Sequence, residues 1–240
     1  HTGNTITYDP ITITFYEKHQ KYYLECKKEF IDVENEWFYD KDTKKLYVYG
    51  DPNGKSIKGK TQSYFMTSND ISNFEIKDVN FFGTTFNYRS AENINIYNCK
   101  FAYPNCTKRM LKIDDTVAYD DTFKPHKGPR ITYVEGSKSN DNPSNITIEK
   151  CLFEHTDGEA IQLVGNNNVI KDSYFHHIDY SVTSLRNLGS TILSTGENNK
   201  FYNNMMHTLG ASVTLDLGSY PDVAYNDISN TGLLQNDGAI

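Results

Sequence analysis

One nine-residue pattern recurs along this chain, and it constrains the fold more than any other feature. Six segments fit Asn-x-x-φ-x-x-φ-x-φ, where φ is apolar or small: Asn73-FEIKDVNF, Asn93-INIYNCKF, Asn145-ITIEKCLF, Asn167-NVIKDSYF, Asn198-NKFYNNMM and a weaker Asp222-VAYNDISN. One apolar column reads Ile76, Ile96, Ile148, Ile170, Phe201, Tyr225, and a second reads Phe81, Phe101, Phe153, Phe175, Met206, with Asn230 breaking it. The starts lie 20, 52, 22, 31 and 24 residues apart. A unit of 20–24 residues is one turn of a three-strand coil, and longer gaps are coils carrying an inserted loop. Like side chains on successive turns would stack about 4.8 Å apart, the spacing of neighbouring strands. Asn at the head of each unit accepts a left-handed turn, and its amide can bond to the Asn above and below.

A second recurrence follows the first. Glu159-AIQLVG, Ser190-TILSTG, Ser212-VTLDLG and Asp237-GAI read as short strands, three of them ending in Gly. The expected fold is all-β: a right-handed parallel β-helix over residues 71–240. Its last strand breaks off at Ile240, so further rungs and a polar cap are expected in a longer chain. Residues 1–70 lack the repeat. Within them Glu36-WFYD, the polar turn Lys41-DTKK and Leu46-YVYG read as a β-hairpin capping the first rung.

Composition agrees with many short strands joined by tight turns: 25 Asn, 18 Tyr and 13 Phe against one Trp and four Met. A net charge of −7 without a basic cluster argues against nucleic acid, and no apolar run is long enough to span a membrane. Four cysteines (Cys26, Cys99, Cys106, Cys151) are too few for a disulfide scaffold. Cys99 and Cys151 share a repeat position and are expected to stack inside the coil as free thiols. The chain starts at His1, consistent with removal of a leader, and Asn105-Cys-Thr and Asn145-Ile-Thr are glycosylation sequons. The expected location is extracellular or at the cell surface.

Chemistry is read from the register. Two residues past the repeat's second Phe come His155 and His177; one past come Glu154, His176 and His207; four past come Asp157 and Asp179. If the register holds, Asp157 lies over Asp179, flanked by stacked histidines and by Glu159. Close carboxylates raise one pKa or recruit a cation, and glycosidases use such a pair. Lyases need a base and a neutraliser for the uronate carboxyl, a role Arg, Lys or calcium can fill. Two loops flank these rungs. The insert 102–143 carries Arg109, Asp114 and Asp115, and a second after Phe175 carries Arg186. Asp157, Asp179, Glu159 and His177 are therefore the candidate catalytic residues. Arg109, Asp114, Asp115, His155, His176 and Arg186 are the candidates for substrate binding. Each has an ordinary alternative: Asp157-Gly158 is a common turn dipeptide, stacked histidines can be a satisfied column, and loop charges are usually solvated. No zinc spacing of the His-x-Glu…Cys-x-x-Cys or His-Glu-x-x-His type is present.

The Glu36-Trp-Phe-Tyr-Asp…Leu46-Tyr-Val-Tyr segment resembles one found ahead of the coil in several β-helical glycoside hydrolases. The coil as a whole is similar to the pectate-lyase-like superfamily of polysaccharide lyases and hydrolases. Phe81-FGTTF, Tyr103-PNCTKRML and Leu234-QNDGAI look like one subgroup of β-helix proteins, from which no catalytic residue carries over. The resemblance implies a carbohydrate groove along one parallel sheet, with a polysaccharide or glycan as partner. Neither the polygalacturonase-like set Asn-Thr-Asp, Gly-His-Gly and Arg-Ile-Lys nor the pectate-lyase-like Arg-x-Pro-x-x-Arg is present. Two functions stay open: a secreted polysaccharide hydrolase or lyase, and a non-catalytic structural or adhesive coil that assembles through its ends.

Overall fold

A computed structural model describes residues 24–106, 109–111, 132–179, 190–211 and 213–234. The chain divides into two compact units, His1–Asp51 and Pro52–Ile240. In the first, β1 (Trp37–Asp40) and β2 (Lys45–Val48) pair antiparallel as the expected hairpin. Its turn is held by Asp40 Oδ1, which accepts from the N–H groups of Asp42 and Thr43.

The second unit is a parallel β-helix of six rungs among the described residues. Rung one comprises β3 (Tyr64–Ser68), β4 (Ile71–Lys77) and β5 (Asn80–Phe82); rung two comprises β6 (Thr85–Tyr97), which runs through two sheets, and β7 (Lys100–Ala102). Rung three is β8 (Thr132–Gly136), β9 (Ile146–Glu149) and β10 (Leu152–Glu154). Rung four is β11 (Ile161–Val164), β12 (Val169–Lys171) and β13 (Tyr174–Ile178). Rung five is β14 (Ser190–Thr195), β15 (Lys200–Tyr202) and β16 (Met205–Leu209). Rung six is β17 (Val213–Asp216), β18 (Asp222–Ala224) and β19 (Asp227–Ser229). Sheet A stacks β3, the first part of β6, β8, β11, β14 and β17. Sheet B stacks β4, the rest of β6, β9, β12, β15 and β18. Sheet C stacks β5, β7, β10, β13, β16 and β19.

Both expected columns form. Ile76, Ile96, Ile148, Ile170 and Phe201 pair in succession, as do Phe81, Phe101, Phe153, Phe175 and Met206. The Phe rings lie nearly parallel, with centroids 4.6–5.0 Å apart. Ile76, on the first rung, is only half-buried.

Three boundaries differ from expectation. Rung six is displaced by two residues: Phe201 pairs with Val223, not Tyr225, and Met206 with Ile228, not Asn230. Its unit therefore starts at Tyr220, which adopts the left-handed φ of 52° where other rungs carry Asn. The parallel pairing of β3 with β6 puts the start of the coil ahead of residue 71. The span 102–143 contains a coil strand, β8, so the first insert is 103–131.

Asn73, Asn93, Asn145, Asn167 and Asn198 all take left-handed backbone, φ 50–58°. Asn93 Nδ2 donates to Asn73 Oδ1 and Asn145 Nδ2 to Asn93 Oδ1, each at 3.2 Å. A second, inner ladder was not foreseen. The N–H groups of Cys151, Ser173 and Asn204 donate to Ser173 Oγ, Asn204 Oδ1 and Asn226 Oδ1 of the next rung. Cys99 and Cys151 begin this ladder as buried free thiols on neighbouring rungs. Among the described residues no helix is long and apolar enough to cross a membrane.

Candidate functional site

The site lies where sheet C turns towards sheet A, the corner from which both inserts leave the coil. Along sheet C the Phe column points inward, so its sequence neighbours point out. One outward row is Ala102, Glu154, His176, His207 and Ser229; the row before it is Lys100, Leu152, Tyr174, Met205 and Asp227. At this end of sheet C, Tyr103 and His155, just past β7 and β10, and His177 and Thr208, near the ends of β13 and β16, all take left-handed φ of 52–58°. Repeating that backbone on each rung stacks the rings: Tyr103 on His155 at 4.8 Å and His155 on His177 at 4.9 Å.

The sequence register therefore holds through His155 and His177. It continues one residue further, where the N–H of Thr156 donates to His177 O. His176 crosses the stack, nearly perpendicular to both His155 and His177. Its Nδ1 lies 2.9 Å from His177 Nδ1, and its Nε2 lies 3.1 Å from Glu154 Oε2. A carboxylate only accepts, so the Nε2 proton of His176 is directed at Glu154. Glu154 is held in turn by Lys100 Nζ at 2.7 Å. His207 stacks on His176, but its ring nitrogens face Tyr174 Oη and Thr208 Oγ1.

Electrostatics follow from this packing. Burial lowers the pKa of His155, and the neighbouring His177 lowers it further. Burial likewise lowers that of His176, against the pull of Glu154. Both shifts favour the neutral imidazole. Burial alone would raise the Glu154 carboxyl, but the Lys100 hydrogen bond and charge, aided by His176, hold it below its usual range.

The carboxylates sit behind this surface. Asp157 and Gly158 donate their N–H groups to Asn105 Oδ1 at 2.8 and 3.2 Å, and Asn105 Nδ2 donates to Glu159 O at 3.1 Å. Asn105 thus clips the start of the first insert to the turn of rung three. Asn105 is only 2% exposed, and its amide is turned to rung three. Asn145, the other sequon, is exposed. Asp157 is half-buried, whereas Asp179 and Glu159 are 1% and 4% exposed. Asp179 donates its N–H to Thr156 Oγ1. Arg109 lies in a short 3-10 turn, Arg109–Leu111, in the first insert. Asp114, Asp115 and Arg186 lie outside the described residues.

Glu154, Lys100, Tyr103 and Tyr174 complete the surface, though the sequence had not marked them as site residues. The outward row through Glu154 and His176 was the available signal. A shallow depression elsewhere, lined by Ser90, Glu92, Glu135, Gly136, Ser137 and Asn142, sits at the corner between sheets A and B, away from this chemistry. Calcium takes six to eight oxygen ligands. Among the described residues, the one set of three or more histidines, cysteines or acids with donor atoms within 4.8 Å is His155, His176 and His177, which offers no oxygen. No protein-family model, curated protein or solved structure matches this chain.

Proposed function

We propose that the protein is a secreted carbohydrate-active β-helix of the pectate-lyase-like kind, holding a polysaccharide across the histidine corner of sheet C and cleaving it by hydrolysis or elimination. One observation carries this reading. At the corner where both inserts leave the coil, stacked rungs present aromatic rings, imidazoles and an ionised carboxylate as one partly exposed strip. Sugar rings offer an apolar face that suits Tyr103 and Tyr174, and hydroxyls that suit Glu154, Asp157 and the imidazoles. The His177 imidazole can take a proton in the reaction, with the half-buried Asp157 of the neighbouring rung as the second group. Asp179 and Glu159 stand behind this surface, and Arg109 belongs to the insert that leaves it.

The test is turnover on a panel of uronate-containing and neutral polysaccharides. New reducing ends report hydrolysis; unsaturated uronate absorbance reports elimination. The native chain should act on at least one polymer. Asp157→Asn and His177→Asn should each lower turnover by about a hundredfold or more, the scale of a general acid or base. Cleavage left unchanged in both variants would contradict the assignment.

A second reading rests on a different observation, the lateral Asn73–Asn93–Asn145 ladder, which suits a structural or adhesive coil. It predicts glycan binding or self-assembly without turnover on any polymer.

A further inference from the structure

The geometry points to His155, His176 and His177 as a binding site for one divalent transition-metal ion of the zinc class, with a coordination position left open for water or a substrate oxygen. This inference stands on the imidazole arrangement and is independent of the glycan reading. One ring nitrogen from each residue can be chosen so that all three lie within 4.8 Å of one another. Zn–N bonds of about 2.0–2.1 Å place tetrahedral nitrogens about 3.4 Å apart, so small ring rotations close the set around an ion. His176 Nδ1 and His177 Nδ1 are already 2.9 Å apart.

The surroundings are those of a metal ligand's support. Metal-bound histidines usually donate their other ring N–H to a carboxylate, which fixes the tautomer and aims the lone pair. His176 Nε2 faces Glu154 Oε2 at 3.1 Å, leaving Nδ1 as the nitrogen turned towards His177. Lys100 anchors Glu154, and the Tyr103 ring lies flat on His155. His207 stays out of the set, because its two nitrogens meet Tyr174 and Thr208. Three imidazoles with an open fourth position match the donor count of catalytic rather than structural zinc. Nitrogen donors of this softness favour zinc, cobalt, nickel or copper over calcium or magnesium.

No local motif reveals the set, because it is assembled across two rungs. His155 comes from one turn of the coil and the adjacent pair His176-His177 from the next.

The test uses the full chain stripped with a chelator and titrated with Zn²⁺ by calorimetry, with Co²⁺ as a spectroscopic probe. One equivalent of Zn²⁺ should bind at this corner, and Co²⁺ should show the intense visible absorption of a four-coordinate site. His155→Asn and His177→Asn keep a residue that accepts the left-handed backbone. Each should weaken Zn²⁺ binding by at least about a hundredfold, more than the usual loss of a supporting contact. Glu154→Gln should weaken it by about 10- to 100-fold with stoichiometry unchanged. His207→Gln should leave it unaltered, with far-ultraviolet circular dichroism confirming that each variant folds. Absence of Zn²⁺ binding by the folded native chain would overturn the proposal. So would unchanged affinity in the His155→Asn, His177→Asn double variant, since the ion would then sit elsewhere.

Discussion

His155 and His177 hold a backbone conformation, φ 57° and 54°, that side chains other than Gly and Asn adopt reluctantly. The coil imposes it at every corner, on Lys150, Thr208 and Tyr220 as well as on the asparagines. The histidine stack was legible because it follows from counting along a repeat. The role of His176 was only half legible, since its contact with Glu154 depends on rotamers that no spacing encodes. Asn105 shows the opposite limit: its buried contacts with Asp157, Gly158 and Glu159 across 52–54 residues are set by packing that no spacing encodes. The cysteines give a prediction at this scale. The Cys151 thiol donates a hydrogen bond to Cys99 Sγ, which together with burial pushes the Cys151 thiol up while the same bond holds that of Cys99 down. Cys99 and Cys151 are each only 2% exposed, so both should resist alkylation in the native protein and react fully in denaturant, as read by intact mass. A peptide joined by a Cys99–Cys151 disulfide would show that their geometry permits pairing.

Asp216 supplies a second residue-scale prediction. Desolvation raises its carboxyl pKa above the ordinary 3.8. A raised folded-state value means the contribution is favourable below the unfolded pKa and is lost as pH rises through the folded one. Asp216→Asn should accordingly raise the melting temperature near pH 7, with the gain shrinking as pH falls towards 4. A gain that grows on acidification would contradict this sign.

At the scale of elements, strands were legible wherever apolar side chains repeat, and rung boundaries were not. The misplaced sixth rung shows why. Tyr220 replaces the corner Asn, and without that marker the alignment slid to Asp222 although Val223 and Ile228 keep the core columns. The inner Cys151–Ser173–Asn204–Asn226 ladder escaped notice because its members share hydrogen-bonding roles rather than residue type. Two substitutions test the elements. Phe153 is fully buried between Phe101 and Phe175, so Phe153→Ala should cost roughly 3–5 kcal/mol in denaturant unfolding. Gly196, with φ 120°, has its missing Cβ position 2.2 Å from Gly165 O, so rungs can close only without a side chain there. Gly196→Ala should destabilise by at least about 1–3 kcal/mol. Wild-type stability in either variant would contradict the corresponding stacking.

For the whole molecule, stacking on a fixed register turns sequence distance into spatial proximity. Residues about 22 positions apart become neighbours, so His155 meets His177, and inserts leave from equivalent corners without disturbing the rungs. The fold was therefore readable from the repeat, while the site depends on which outward rows happen to coincide. Zinc-edge anomalous diffraction from crystals of the full chain grown with Zn²⁺ tests that coincidence most directly. The account predicts one anomalous peak about 2.0–2.1 Å from ring nitrogens of His155, His176 and His177, with Phe101, Phe153 and Phe175 stacked behind it. A peak on other residues, or histidines 155 and 177 on non-adjacent rungs, would contradict it.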